Sequence, residues 1–208
     1  RYRVERNDIR NVAANASTFI RQQEGQHITS ALSQRLTYDD RDSILFPTNG
    51  MTAWLFTEVA GLGGDARYLS GTVGSSYYYP VADQWVLNLS GEVGGITGYS
   101  DEDVRINERY FLGGSSLRGF ADSGVGPRDA VTGDALGGNY FYRGTVELSF
   151  PVGLPEELGV QGHAFTDMGS LWSLDNGSAF SIQDDSTIRA AAGVGLSWRS
   201  PFGPIRVN

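Results

Sequence analysis

The chain predicts an all-β fold, an antiparallel transmembrane β-barrel, and three observations carry that expectation. Apolar and polar residues alternate with a period of two along most segments. The connections between those segments alternate between compact, proline-marked turns and longer loops, as in a barrel with turns at one rim and loops at the other. No apolar run approaches the roughly 20 residues of a spanning helix, and the mean hydropathy is slightly negative. That excludes helical membrane spans but not a barrel, whose apolar signal is spread over every second residue.

Taken in order, a partial strand at 1–5 leads into a polar stretch, 8–26. Within it, 11–26 could hold a helical turn, although Gly25 and its polarity also suit a loop. Strands follow at 29–39, 51–60, 67–79 and 84–95, then at 139–150, 159–167 and 187–199, with a second partial strand at 204–208. Turns at 46–50, 80–83, 151–158 and 200–203 each carry proline. The alternate connections are 8–26, the short exception 61–65, then 97–138 and 169–186.

The faces agree with a barrel. Trp85, Leu87, Leu89 and Val93 oppose Asn88, Ser90 and Glu92, and Ile188, Ala190, Ala192, Val194, Leu196 and Trp198 oppose Arg189, Gly193, Ser197 and Arg199. Aromatics near strand ends (Tyr77, Tyr78, Tyr79, Trp85, Tyr140, Phe150, Trp172, Trp198) fit interfacial girdles. A soluble β-sandwich would alternate too, because one face of each sheet is buried, but it does not require short and long connections to take turns.

Composition narrows the function. With 208 residues, 28 Gly and no Cys, the chain has the length for a sizeable core but no disulfides, thiolate nucleophiles or cysteine metal sites. A net charge of -8 with scattered arginines argues against nucleic acid, whose phosphates need a concentrated basic surface. No phosphate-cradling loop and no G-x-S-x-G pattern is present. His163 and Asp167 share a strand face, so a barrel hydrolase is conceivable, as is a passive channel. The acidic clusters Asp101-Glu102-Asp103 and Asp184-Asp185 suit solvated loops, or cation bridges to lipopolysaccharide.

The most specific feature is Gly113-Gly114-Ser115-Ser116-Leu117-Arg118-Gly119-Phe120, which sets one arginine between glycines and an aromatic in a long loop. Parity places two acids on polar strand faces: Glu147 with Arg143, Thr145 and Ser149, and Asp167 with Gln161, His163 and Phe165.

These residues resemble the Omp85 superfamily of outer-membrane insertases and translocators. Leu117-Arg118-Gly119-Phe120 after Gly113-Gly114 is similar to the signature of its large inward-folded loop, and Phe165-Thr166-Asp167-Met168-Gly169 to its second signature, F-x-D-x-G on a strand. Further stretches resemble the superfamily's outer-membrane assembly factors: Tyr38-Asp39-Asp40-Arg41-Asp42, Phe46-Pro47-Thr48-Asn49-Gly50, Val125-Gly126-Pro127-Arg128-Asp129, Gly137-Gly138-Asn139 and Ser200-Pro201-Phe202-Gly203-Pro204.

The resemblance implies a single barrel segment over 1–208, about the later half of sixteen strands, with the loop 97–138 folded into the lumen. POTRA domains, the first strands and the last strand would be absent. It implies that Arg118 meets Glu147 and Asp167, with Phe165 and Gly169 nearby. It also implies a non-enzymatic role without nucleotide, redox cofactor or metal: folding and inserting barrel proteins in the outer membrane of a Gram-negative bacterium. Partners would be unfolded barrel substrates, accessory lipoproteins, lipid and lipopolysaccharide. Within the superfamily, a translocation assembly module barrel or a two-partner secretion transporter is the alternative.

Overall fold

The computed structural model describes residues 1–175, 181–183, 186, 188–200 and 203–208. Asp184-Asp185 and the Pro201-Phe202 pair lie outside the described residues. In chain order the elements are β1 (Tyr2–Ile9), a single helical turn α1 (Thr18–Arg21), β2 (Gly25–Asp39), β3 (Gly50–Ala60), β4 (Tyr68–Ala82), β5 (Trp85–Gly98), β6 (Arg128–Asp129), β7 (Tyr140–Pro151), β8 (Val160–Trp172), β9 (Ile182–Gln183), β10 (Arg189–Ser200) and β11 (Gly203–Val207).

Among the described residues, nine strands form one sheet in the order β1-β2-β3-β4-β5-β7-β8-β10-β11, and β6 pairs with β9 in a small second sheet. Every neighbouring pair is antiparallel. The large sheet does not close on itself, so it is a partial barrel wall. No described helix is long and apolar enough to cross a membrane.

The wall is inverted relative to a soluble domain. Val4, Leu32, Leu36, Leu69, Val73, Leu89, Val93, Val146, Val194 and Leu196 are exposed, while Glu147, Asp167, His27 and His163 are buried. Such an arrangement suits a solvent that is apolar outside and wet inside. The two-residue period makes this unambiguous along β7, where Val146 is exposed and its neighbour Glu147 is 4 % exposed.

Several boundaries differ from expectation, each for a local reason. β2 starts at Gly25, and α1 fills only four residues of the stretch before it. Ser17 caps that turn through its hydroxyl, which accepts from Phe19 N. β4 runs on past Pro80 to Ala82 with a register irregularity, so the turn tightens to Asp83-Gln84, with Gln84 at φ +61. β8 extends five residues beyond the expected end at Asp167, so Gly169 lies in a strand and not in a loop.

Tyr78 also departs from expectation. Its neighbours Tyr77 and Tyr79 are exposed, but Tyr78 faces the lumen beside Asn88, Glu147 and Arg206. The outward aromatics do pair at the two rims. Trp85 stacks on Phe150 with centroids 5.4 Å apart at the turn end, and Tyr140 lies 6.2 Å from Trp172 at the loop end.

Candidate functional site

The long connection between β5 and β7 lies against the concave, polar face of the wall. Two apolar clusters hold it there. Val104 packs with Ala31, Ala60, Tyr68 and Ile96, and Leu112, Leu117 and Val125 pack with Phe141 and Leu171. Small wall residues make room. A Cβ on Gly169 would stand 3.3 Å from Leu117 Cδ1 and 2.9 Å from Tyr142 O. The glycine thus lets the loop reach the backbone of β8, and Leu117 is only 1 % exposed.

Arg118 follows Leu117 at the turn of the loop. Its Nε donates to Asp167 Oδ2 at 2.7 Å and its Nη2 to Asp167 Oδ1 at 2.8 Å, a two-pronged contact with one carboxylate. Its Nη1 donates to Glu147 Oε2 at 2.7 Å, and its backbone N–H to Asp167 Oδ2 at 3.1 Å. The guanidinium carbon sits 3.5 Å from the centroid of the Phe165 ring. Burial pulls the Arg118 guanidinium down, but the hydrogen bonds it donates to Asp167 and Glu147 outweigh it, and the net shift is upward.

Gly113 and Gly114 both have positive φ, and Gly113 N–H donates to the Ser116 hydroxyl oxygen at 3.0 Å, which folds the start of the motif into a tight turn. Gly119 has φ +87, and a Cβ there would lie 2.6 Å from the Ala191 Cβ on β10. Phe120 packs at the edge of the cluster around Leu117.

Three participants were not anticipated. Arg206 on β11 donates to Glu147 Oε1 at 2.8 Å, so Glu147 is shared by two guanidiniums. Thr145 donates to Asp167 Oδ1 at 2.9 Å. Arg143 bridges Glu92 Oε2 at 2.7 Å and the Ser116 carbonyl at 2.9 Å, tying β5, β7 and the loop together. Parity put Thr145 and Arg143 on the right face; nothing in the sequence linked Arg206 to Glu147. A cavity of about 490 Å³ opens beside Arg118, Arg143 and Arg206.

The hydrolase geometry is not formed. His163 is fully buried, with Nε2 2.5 Å from Asn208 Oδ1, and both Asp167 oxygens are engaged by Arg118 and Thr145. No cluster of metal-ligating side chains is found among the described residues. Earlier in the loop, Arg109 donates to the Val104 carbonyl at 2.7 and 3.0 Å and lies 4.5 Å from the Phe19 ring centroid. Burial lowers its guanidinium to about 10.

The family model for the Omp85 superfamily domain matches residues 1–208. The chain belongs to the Omp85 superfamily. This Omp85 segment is 36 % identical over 208 residues to the outer membrane protein assembly factor BamA of Neorickettsia risticii, covering 100 % of the segment and 28 % of that protein. It is 31 % identical over 171 residues to the sorting and assembly machinery component 50 homolog of Mus musculus, covering 78 % of the segment and 36 % of that protein. The crystal structure of BamA from Haemophilus ducreyi lacking POTRA domains 1-3 superposes with a TM-score of 0.77 at 26 % identity, over 89 % of the segment and 40 % of that chain. The Omp85 segment therefore spans about a quarter to two fifths of the proteins it resembles.

Proposed function

We propose that the chain is the later half of the barrel of an outer-membrane assembly factor, which folds and inserts other β-barrel proteins. The observation that carries this reading is alignment over the full segment to a protein named as an assembly factor, joined to an inverted wall suited to lipid. At the family level the matched relatives are assembly factors, which supports a non-enzymatic role. The chain is integral to the outer membrane of a Gram-negative bacterium, and its substrates are unfolded barrel proteins. Accessory lipoproteins and lipopolysaccharide complete the partners of this reading, with no nucleic acid and no cofactor.

In this reading Arg118 does no chemistry. It fastens the loop to β7 and β8, and through Glu147 to β11, so that the wall keeps its curvature beside the cavity while substrate strands are handled elsewhere. Gly113, Gly114, Leu117, Gly119 and Phe120 shape and seat the loop; Glu147, Phe165, Asp167 and Gly169 receive it. Depletion of the full-length parent in its native cell tests the function, with folded outer-membrane proteins scored by heat-modifiable gel mobility. A general loss of folded barrels is expected. Normal assembly with loss of one secreted protein would favour a translocator instead.

A further inference from the structure

The loop touches the wall with a second set of charges, ahead of the motif, which the sequence did not reveal. Glu108 lies in a single 3-10 turn, Ile106–Glu108. Its Oε1 accepts from the Thr29 hydroxyl on β2 at 2.8 Å, and its Oε2 stands 3.1 Å from the Tyr68 hydroxyl on β4 and 3.7 Å from Arg3 Nη2 on β1. Arg3 Nη2 also donates to Glu58 Oε1 on β3 and to the Tyr68 hydroxyl, each at 3.0 Å. The Tyr68 hydroxyl lies 2.7 Å from Glu58 Oε1, so one hydroxyl stands between two carboxylates and one arginine balances only one of their two charges. The Glu108 and Glu58 side chains are 9 % and 11 % exposed.

Between the two sets, the loop crosses the wall in sequence order. Glu108 meets β1, β2 and β4; the Tyr110 hydroxyl lies 3.2 Å from Thr72 Oγ1 on β4 and 3.3 Å from Gly95 O on β5; the Ser116 carbonyl meets Arg143 on β7; Arg118 meets β7 and β8. From β4 to β8 is three strand spacings, about 15 Å of wall. The chain from Glu108 to Arg118 could reach about 35 Å if extended, so it spans that distance without being pulled taut.

We propose that Glu108 is a second, independent anchor of the loop, which makes the loop a brace joining β1–β4 to β7–β8. The polarity of the two anchors is opposite. At one the loop supplies the acid and the wall an arginine; at the other the loop supplies the arginine and the wall two acids. Each is framed by its own set of buried apolar residues, one containing Val104 and the other Val125, with the partly buried Tyr110 packed against both; in this proposal either set opens while the other stays shut, Tyr110 keeping its contact with the closed one.

The inference rests on the loop acting as a lock on the wall, and its test does not depend on insertase activity. These 208 residues hold no cysteine, so in the full-length membrane-embedded protein, with any cysteine outside them replaced by serine, a single introduced thiol reports on each anchor. Val104→Cys, 2 % exposed, reports the Glu108 end, and Val125→Cys, 5 % exposed, reports the Arg118 end. Alkylation rates are read for folded, heat-modifiable protein only. Glu108→Ala should speed alkylation at Val104→Cys about tenfold or more while leaving Val125→Cys within about threefold, and Arg118→Ala should do the reverse. If Glu108→Ala reduces the folded fraction, Tyr68→Phe removes one hydroxyl, keeps the ring in its cluster and should give the same pattern. Equal acceleration of both thiols, or none at Val104→Cys in either variant, would overturn the second anchor. Those results would leave the insertase reading to stand or fall on the depletion experiment.

Discussion

Replacing Arg118 by lysine tests whether the guanidinium fork, and not its charge, seats the loop. The wild-type side chain makes three hydrogen bonds of 2.7 to 2.8 Å to two carboxylates. An ammonium keeps the charge but cannot hold both Asp167 oxygens in one plane while also reaching Glu147. Two charge-assisted bonds are lost, each about 1.5 to 3 kcal/mol. The acids left behind retain partners, which limits the damage: Asp167 keeps Thr145 at 2.9 Å and Glu147 keeps Arg206 at 2.8 Å. A net loss of about 2 to 3 kcal/mol is therefore expected for Arg118→Lys, and about 3 to 5 kcal/mol for Arg118→Ala, where a buried pair loses its cation outright. At about 1.4 kcal/mol per decade, the lysine variant should raise the undocked fraction of the loop roughly 30- to 150-fold. Alkylation of Val125→Cys in the otherwise cysteine-free chain measures that fraction. A lysine variant within threefold of wild type would refute the fork argument, and one as severe as alanine would show that charge contributes nothing.

Other expectations follow from single contacts. Gly119→Ala would combine φ +87 with a 2.6 Å approach to Ala191 Cβ, and should weaken docking by about 1 to 2 kcal/mol or more, read by the same thiol. Arg206→Ala should expose β11 amides to hydrogen exchange but leave the Arg118 contact with Asp167, so Val125→Cys should stay protected. Reversing Arg118→Glu with Glu147→Arg should rescue docking only in part, because the new acid would face Asp167 and the new arginine would face Arg206; full recovery would contradict the shared geometry. In the β2–β3 turn, the Asp42 carboxyl is held at about 2 by the Thr48 hydroxyl and the Thr48 and Asn49 amides. A lowered carboxyl pKa stabilises the turn above about 4, and that contribution is lost as pH falls through about 2. An NMR titration of Asp42 midway at 4 would remove it.

What was legible in the sequence was whatever the two-residue period reports. Glu147, Phe165 and Asp167 lie on one face of adjacent strands because β7 and β8 pair Glu147 with Phe165 and Thr145 with Asp167, and parity alone required that they point together. The period fails where it is saturated or interrupted. Three tyrosines in a row at Tyr77, Tyr78 and Tyr79 carry no alternation, so the inward turn of Tyr78 is invisible until Asn88 and Arg206 are seen beside it. The connection expected at 169–186 starts with Gly169, yet that residue stays in β8, where a side chain would meet the Tyr142 carbonyl and Leu117. Arg206 and Glu147 meet only because β8 and β10 lie between their strands in a curved wall, which no local pattern encodes.

The same limit explains why Arg118 was found and Glu108 was not. A glycine-rich loop with one arginine advertises itself, whereas a glutamate in a 3-10 turn looks like ordinary surface charge. Their opposite signs nevertheless constrain the fold together. If the loop slid along the wall so that Glu108 took the place of Arg118, it would set a third carboxylate against Glu147 and Asp167, with their partners nearly excluded from water. Like charges in such a setting cost several kcal/mol, more than the apolar clusters would recover by rearranging. A brace with identical anchors could dock in more than one register; anchors of opposite sign leave a single one.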